Sequence, residues 1–155
     1  MKVQRLGLAV SALMGTQVPQ TLTETWAATA LPHQVGFADG GGWAGNTSTA
    51  QGHLTYGPYV TTVSNGSHVA VWQLMIDNNT QPDGLDMVRL EVNDATAGYE
   101  LAARSLTREA WTATMTYQEF GVPFTLPAGH AGDELEFRTL FYPYSYIRVG
   151  EVGYQ

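Results

Sequence analysis

The sequence predicts an all-β domain, an antiparallel two-sheet β-sandwich (jelly roll) of about nine short strands. Three observations lead there. Short segments alternate apolar and polar residues at period two, as half-buried strands do. Turn-forming clusters of Gly, Pro, Asn and Asp separate them roughly every 8 to 14 residues. No long window carries the 3.6-residue period of an amphipathic helix; the best helical stretch, Ser105 to Trp111, is one or two turns. Evenly spaced strands without intervening helices pair antiparallel and close into two packed sheets.

In chain order, Lys2 and Arg5 precede a short apolar run, Leu6 to Met14, and small residues follow at Ala27-Ala-Thr-Ala30. That pattern reads as an export leader, the alternative being an ordinary N-terminal strand or a disordered leader, and the apolar run is too short to span a bilayer. Residues 1–30 are therefore expected to be a leader or signal-like segment and residues 31–155 the sandwich, placing the protein outside the cytoplasm, secreted or extracytoplasmic. Gln34 to Ala38, His53 to Tyr56 and Tyr59 to Val63 supply three short strands. Ser64-Asn-Gly-Ser67 is a turn, because Asn and Gly tolerate positive φ. His68 to Asp77 then places Ala70, Trp72, Leu74 and Ile76 on one face and Val69, Val71 and Met75 on the other, the pattern of a central strand covered on both sides.

Asp86 to Asn93 alternates with Val88, Leu90 and Val92 inward, and Asp94-Ala-Thr-Ala-Gly98 turns the chain into Tyr99 to Thr107. Thr116 to Leu126 is a strand whose Pro123 assigns it to an edge or a bulge, since proline cannot donate to a ladder. Glu134 to Phe141 points Leu135, Phe137, Thr139 and Phe141 inward, and Tyr146 to Tyr154 closes the chain.

Composition narrows the partners. The net charge is −7 with only seven basic residues, and Lys2 is the sole lysine. Such a chain has no basic stripe to track nucleic-acid phosphates and no attraction to an anionic membrane surface. Cysteine is absent, which removes disulfides, thiolate metal sites and cysteine nucleophiles.

Several segments together resemble a known module. Gly57-Pro58-Tyr59 leads through the Asn65-Gly66 turn into Val69-Ala-Val-Trp-Gln-Leu74. Later come Val88-Arg-Leu-Glu-Val-Asn-Asp94, Leu101-Ala-Ala-Arg104, Tyr117-Gln-Glu-Phe120 with Phe124, and Leu135-Glu-Phe-Arg138. The whole, from Leu31 to Val152, resembles the galactose-binding-domain-like β-sandwich used by carbohydrate-binding modules of bacterial secreted proteins. The resemblance implies a non-catalytic, lectin-like role. It also implies a structural calcium ion near the first and last strands, with Asp39 and Glu151 as ligands by position. The chain departs from such modules in two respects: their tip-loop aromatics have no aligned counterpart, and no compact D-x-D-x-D-G motif occurs.

Aromatic faces pack against the C–H faces of pyranose rings, and a few polar side chains fix the hydroxyls. Tyr142-Pro-Tyr144-Ser-Tyr146 sets three tyrosines in a turn, and the Gly40-Gly-Gly-Trp43-Ala-Gly-Asn46 loop is expected to expose Trp43. With Arg138, these give the expected ligand set: Trp43, Asn46, Arg138, Tyr142, Tyr144 and Tyr146. Asp77, Asn78, Asn79, Asp83 and Asp86 form an oxygen-rich loop that reads chiefly as a solvated turn. Glu91, Glu119, Glu134 and Glu136 fall at outward strand or turn positions and are expected to be solvated. The four histidines, His33, His53, His68 and His130, form no local pair, and no nucleophile elbow, His-Glu-x-x-His or phosphate loop occurs. The reading is a module recognising a neutral glycan by stacking and a polar clamp. The alternative is a structural or protein-interaction sandwich without a sugar site.

Overall fold

The computed structural model describes residues 21–155 and builds eleven strands. They are β1 (Glu24–Ala27), β2 (Phe37–Asp39), β3 (Gly42–Gly45), β4 (Gly52–Thr55), β5 (Pro58–Val60), β6 (Gly66–Ile76), β7 (Asp86–Asp94), β8 (Tyr99–Thr107), β9 (Gln118–Leu126), β10 (Leu135–Phe141) and β11 (Ile147–Tyr154). A six-stranded sheet runs β2-β3-β11-β6-β9, with β1 also paired to β11. A five-stranded sheet runs β4-β10-β7-β8, with β5 also paired to β10. Every pairing is antiparallel. This is the expected sandwich. The expected helical stretch is reduced to a single 3-10 turn, Arg108–Ala110.

Alternation places the core. From β6, Ala70, Trp72, Leu74 and Ile76 are fully buried; from β7, Val88, Leu90 and Val92; from β10, Leu135, Phe137 and Phe141. Trp26 and Tyr154 stack on Phe137, and Trp72 meets it edge-on. One buried polar contact, between the hydroxyls of Thr55 and Thr139 at 2.8 Å, joins β4 and β10 inside this apolar layer. Strand β6 lies between β11 and β9, and Val69, Val71 and Met75 on its second face are buried too, as the two apolar phases of its sequence require. Leu22 packs with Val69 and Val71 there. Pro123 lies on β9, an edge strand of this sheet.

Two strands were not anticipated. Strand β1 lies before the expected boundary at Ala30: Glu24 pairs with Tyr154 and Ala27 with Glu151, while Leu22, Ala28 and Leu31 are buried. The packed domain therefore begins ahead of residue 31. The leader-like run at residues 1–20 lies outside the described residues. Strand β3 replaces the expected glycine-rich loop. Its glycines serve close packing: a Cβ on Gly42 would stand 2.5 Å from the Val149 carbonyl oxygen, and one on Gly45 2.9 Å from the Phe141 ring.

Candidate functional site

The outer face of the five-stranded sheet is built from β4, β10 and β7, whose outward positions carry His53, Glu136, Arg138, Arg89, Glu91 and Asn93. Register sets Arg138 opposite Glu91 and Glu136 opposite Asn93. Three positive or hydrogen-bearing groups converge on Glu91. His53 Nε2 lies 3.0 Å from its Oε1, Arg138 Nε 3.0 Å from the same oxygen, and an Arg89 terminal nitrogen 2.5 Å from Oε2. Arg89 also donates to Glu100 at 2.9 Å. Glu136 accepts from Asn93 Nδ2 at 2.8 Å and from the Gly57 amide at 3.4 Å.

Glu91 and Glu136 are buried, at 5% and 7% exposure, and not solvated as their outward positions suggested. Partners from distant strands cover them. Burial by itself pushes the Glu91 carboxyl up, but the hydrogen bond from His53, the charge of Arg138 and the hydrogen bond from Arg89 outweigh it and hold the group below the ordinary glutamate value. The hydrogen bond to Glu100 raises the Arg89 guanidinium further from deprotonation. At Tyr59, burial and then the neighbouring Glu136 push the phenol up.

A cavity of about 390 Å³ opens beside this network, lined by His33, Gln34, His53, Tyr56, Glu136 and Arg138. The segment after the first strand forms its wall. Gln34 and Val35 amides donate to the His53 carbonyl, Tyr56 N donates to Pro32 O, and Gln34 Oε1 accepts from the His53 amide at 2.9 Å. The His33 ring lies flat on the Trp43 indole, with centroids 3.5 Å apart and planes 3° from parallel, and its Nε2 bonds the Ala28 carbonyl. Trp43 Nε1 donates to Val35 O at 2.8 Å. Trp43 is thus half-buried in β3 behind His33, where an exposed loop position was expected.

The six expected ligand residues fall into two groups. Arg138 lines the cavity, and Trp43 reaches its wall through His33. Asn46, Tyr142, Tyr144 and Tyr146 gather at one end of the sandwich, since Gly45 pairs with Ile147. Asn46 closes its own turn by accepting from the Ser48 amide. Tyr144 is exposed, and its carbonyl accepts from the buried Arg108, which also bonds Asp83 and the Asn78 carbonyl. The Tyr146 hydroxyl donates to Asp39 and lies 3.3 Å from Arg148. Burial and then this Asp39 contact push the Tyr146 phenol up to about 12.

Asp39 therefore faces Tyr146 and Arg148, whereas Glu151 lines a separate small recess with Gln73 and Glu119. The two residues expected to share a calcium ion stand in different surroundings. The oxygen-rich loop after β6 is spent on the protein. Asp77 accepts from Ser145 and the Tyr146 amide, Asn78 from the Thr80 amide, Asp83 from Arg108, and Asn79 donates to Trp111 O.

His33, Gln34, His53, Tyr56 and Glu136, which line the cavity, and Glu91 beside it were not among the residues expected from the sequence. One signal was available for two of them. Arg89-Leu-Glu91 and Glu136-Phe-Arg138 carry opposite charges at period two on adjacent strands, which antiparallel register turns into cross-strand pairs.

The architecture is that of the carbohydrate-binding-module β-sandwich. Among solved structures, the chain is similar to the C-terminal CBM6 of LamC, a marine laminarinase from Zobellia galactanivorans, with TM-score 0.53 and 11% identity over 85% of this chain and 98% of that one. It is also similar to the CBM22-1–GH10 modules of Clostridium thermocellum endo-1,4-beta-D-xylanase 10B, with TM-score 0.45 and 11% identity over 78% of this chain and 24% of that one. A pentameric capsid protein isolated from metagenomic phage sequences matches with TM-score 0.29 and 16% identity over 99% of this chain and 79% of that one. No protein-family model and no curated protein matches the sequence. Among the described residues, no helix is long and apolar enough to cross a membrane.

Proposed function

We propose that the chain is a non-catalytic, extracytoplasmic carbohydrate-binding domain that holds a neutral glycan in the cavity beside the Glu91 network. The observation that carries this reading is the lining itself, where rings of His33, His53 and Tyr56 stand around Gln34, Glu136 and Arg138. Ring faces accept the C–H face of a pyranose, while guanidinium, amide and carboxylate groups direct hydrogen bonds to its hydroxyls. Arg138 and His53 are held in place by Glu91, so little side-chain freedom is lost on binding.

A binding role fits Glu91 better than hydrolysis does. A glycosidase needs one carboxyl kept protonated to serve as general acid. Glu91 is held in the opposite sense, ionised by three neighbours. The similarity to a CBM6 module supports the same reading at the level of fold.

Isothermal titration against neutral gluco-, galacto- and xylo-oligosaccharides tests it. Binding in the millimolar range or tighter to one class is expected. Loss of that binding in Tyr56→Ala and Arg138→Ala, with Tyr144→Ala unaffected, places the site in the cavity. Loss in Tyr144→Ala alone moves it to the loop end. Silence across the panel overturns the reading.

A further inference from the structure

A second cluster stands away from the cavity, where the β7–β8 turn meets the loop between β9 and β10. Asp94 ends β7, and His130 and Asp133 lie in the loop. One ligand-type atom from each lies within 4.8 Å of the others. His130 Nδ1 is 2.8 Å from Asp133 Oδ2 and 3.4 Å from Asp94 Oδ2. The loops are already joined around them: the Ala95 amide donates to Glu134 O, and the Glu134 amide to Thr96 Oγ1 at 2.8 Å. The Tyr99 ring abuts His130 edge-on.

Asp94 is the unusual member. It is fully buried, and its Oδ1 caps the turn by accepting from the Ala97 amide at 2.9 Å. Its Oδ2 is buried and paired with His130 Nδ1 at 3.4 Å, longer than a good hydrogen bond. A carboxylate oxygen removed from water calls for a donor or a cation. His130 Nδ1 carries at most one hydrogen, and that hydrogen is directed to Asp133.

We propose that Asp94, His130 and Asp133 form a site for a divalent first-row transition metal, for which Zn²⁺ is the probe, and that the metal pins the β7–β8 turn to the β9–β10 loop. Metal–ligand bonds of about 2.0–2.1 Å at tetrahedral angles put neighbouring ligand atoms roughly 3.3 Å apart. The two spacings at His130 Nδ1 bracket that value. An imidazole nitrogen with two carboxylate oxygens suits Zn²⁺, Mn²⁺ or Co²⁺, whereas Ca²⁺ takes six to eight oxygens. Asp133 and His130 are partly exposed, so water completes the coordination. The site is independent of the glycan reading.

The test is titration of the chelator-treated full chain with Zn²⁺, read by calorimetry and by melting temperature, and with Co²⁺, read by its visible absorption. One equivalent of Zn²⁺ is expected, with Tm rising by about 5 °C at saturating metal. His130→Gln and Asp133→Asn should each weaken binding about tenfold or more. His68→Gln should bind as the parent does. Asp94→Asn keeps the Oδ1 cap and checks the buried oxygen without removing the turn, its fold being verified by circular dichroism. Zn²⁺ affinity unchanged in both His130→Gln and Asp133→Asn overturns the proposal. So does stabilisation by Ca²⁺ but not Zn²⁺, or the absence of stoichiometric binding.

Discussion

On the outer face of the six-stranded sheet, β6 presents Val69, Val71 and Met75, closed over in part by Leu22. On the outer face of the five-stranded sheet, at similar depth, stand Glu91 and Glu136 under a cover of His53, Arg89, Arg138 and Asn93. Both surfaces are shielded from water. One is shielded by apolar packing, which is tolerant of detail, and the other by ion pairs, which are not. The second also leaves a cavity beside directed polar groups. A groove of about 670 Å³ lies at Ser67, His68, Leu101, Phe124 and Gln155, but it holds no carboxylate or guanidinium side chain.

The sharpest way to break the contrast is Glu91→Ala. It removes the acceptor shared by two guanidinium groups and an imidazole, leaving Arg89 only Glu100 and Arg138 only Glu136 at 3.8 Å, and should destabilise the domain by about 3 kcal/mol in urea unfolding. A loss under about 1 kcal/mol would make the network a solvated surface pair after all. Leu22→Ala tests the apolar face by the same measurement. Removing its buried side chain should cost about 2 kcal/mol, with an unchanged m-value.

Arg138→Ala should weaken glycan binding about tenfold, or about 1.4 kcal/mol, in calorimetric titration. The Leu22 variant should bind as the parent does, which separates the two faces by function. Acid sharpens the contrast further. The Glu91 carboxyl sits below its ordinary value in the folded chain, so the unfolded chain takes the proton first as pH falls. Its share of stability is present above the ordinary glutamate value and lost as pH drops through the lowered folded value. Unfolding titrations across that window should show an acid limb that is shallower in Glu91→Gln. The smallest effect belongs to Glu100→Ala. Its pair with Arg89 is exposed and should change stability by about 0.5 kcal/mol or less, seen as a small midpoint shift.

The sandwich was legible where alternation was strict. Tyr99–Thr107 has the expected bounds, and the strands at Asp86 and Leu135 begin within a residue of expectation. Strand β6 announced its two buried faces by carrying apolar residues in both phases. Glu24-Thr-Trp-Ala27 carried no such signal, because a short strand after a polar stretch is indistinguishable from a leader by pattern. Gly42–Gly45 was misread because glycine signals turns far more often than tight strand packing against Val149 and Phe141. Period-two reading assigns a residue to a face, but it does not say what covers that face. Glu91 and Glu136 were therefore placed correctly and taken as solvated wrongly, since His53, at 38 residues' separation from Glu91, enters only through the fold.

The stacking of His33 on Trp43 has an optical consequence. Of the three other tryptophans, Trp72 and Trp111 are sealed in the core, and Trp26 stacks on Phe137 and Tyr154. Only Trp43 shares a π-face with a titratable ring that also lines the cavity. An imidazole in van der Waals contact quenches an excited indole. A ligand that moves His33 therefore changes the emission of one tryptophan out of four, so the protein carries its own reporter dye in the wall of the cavity.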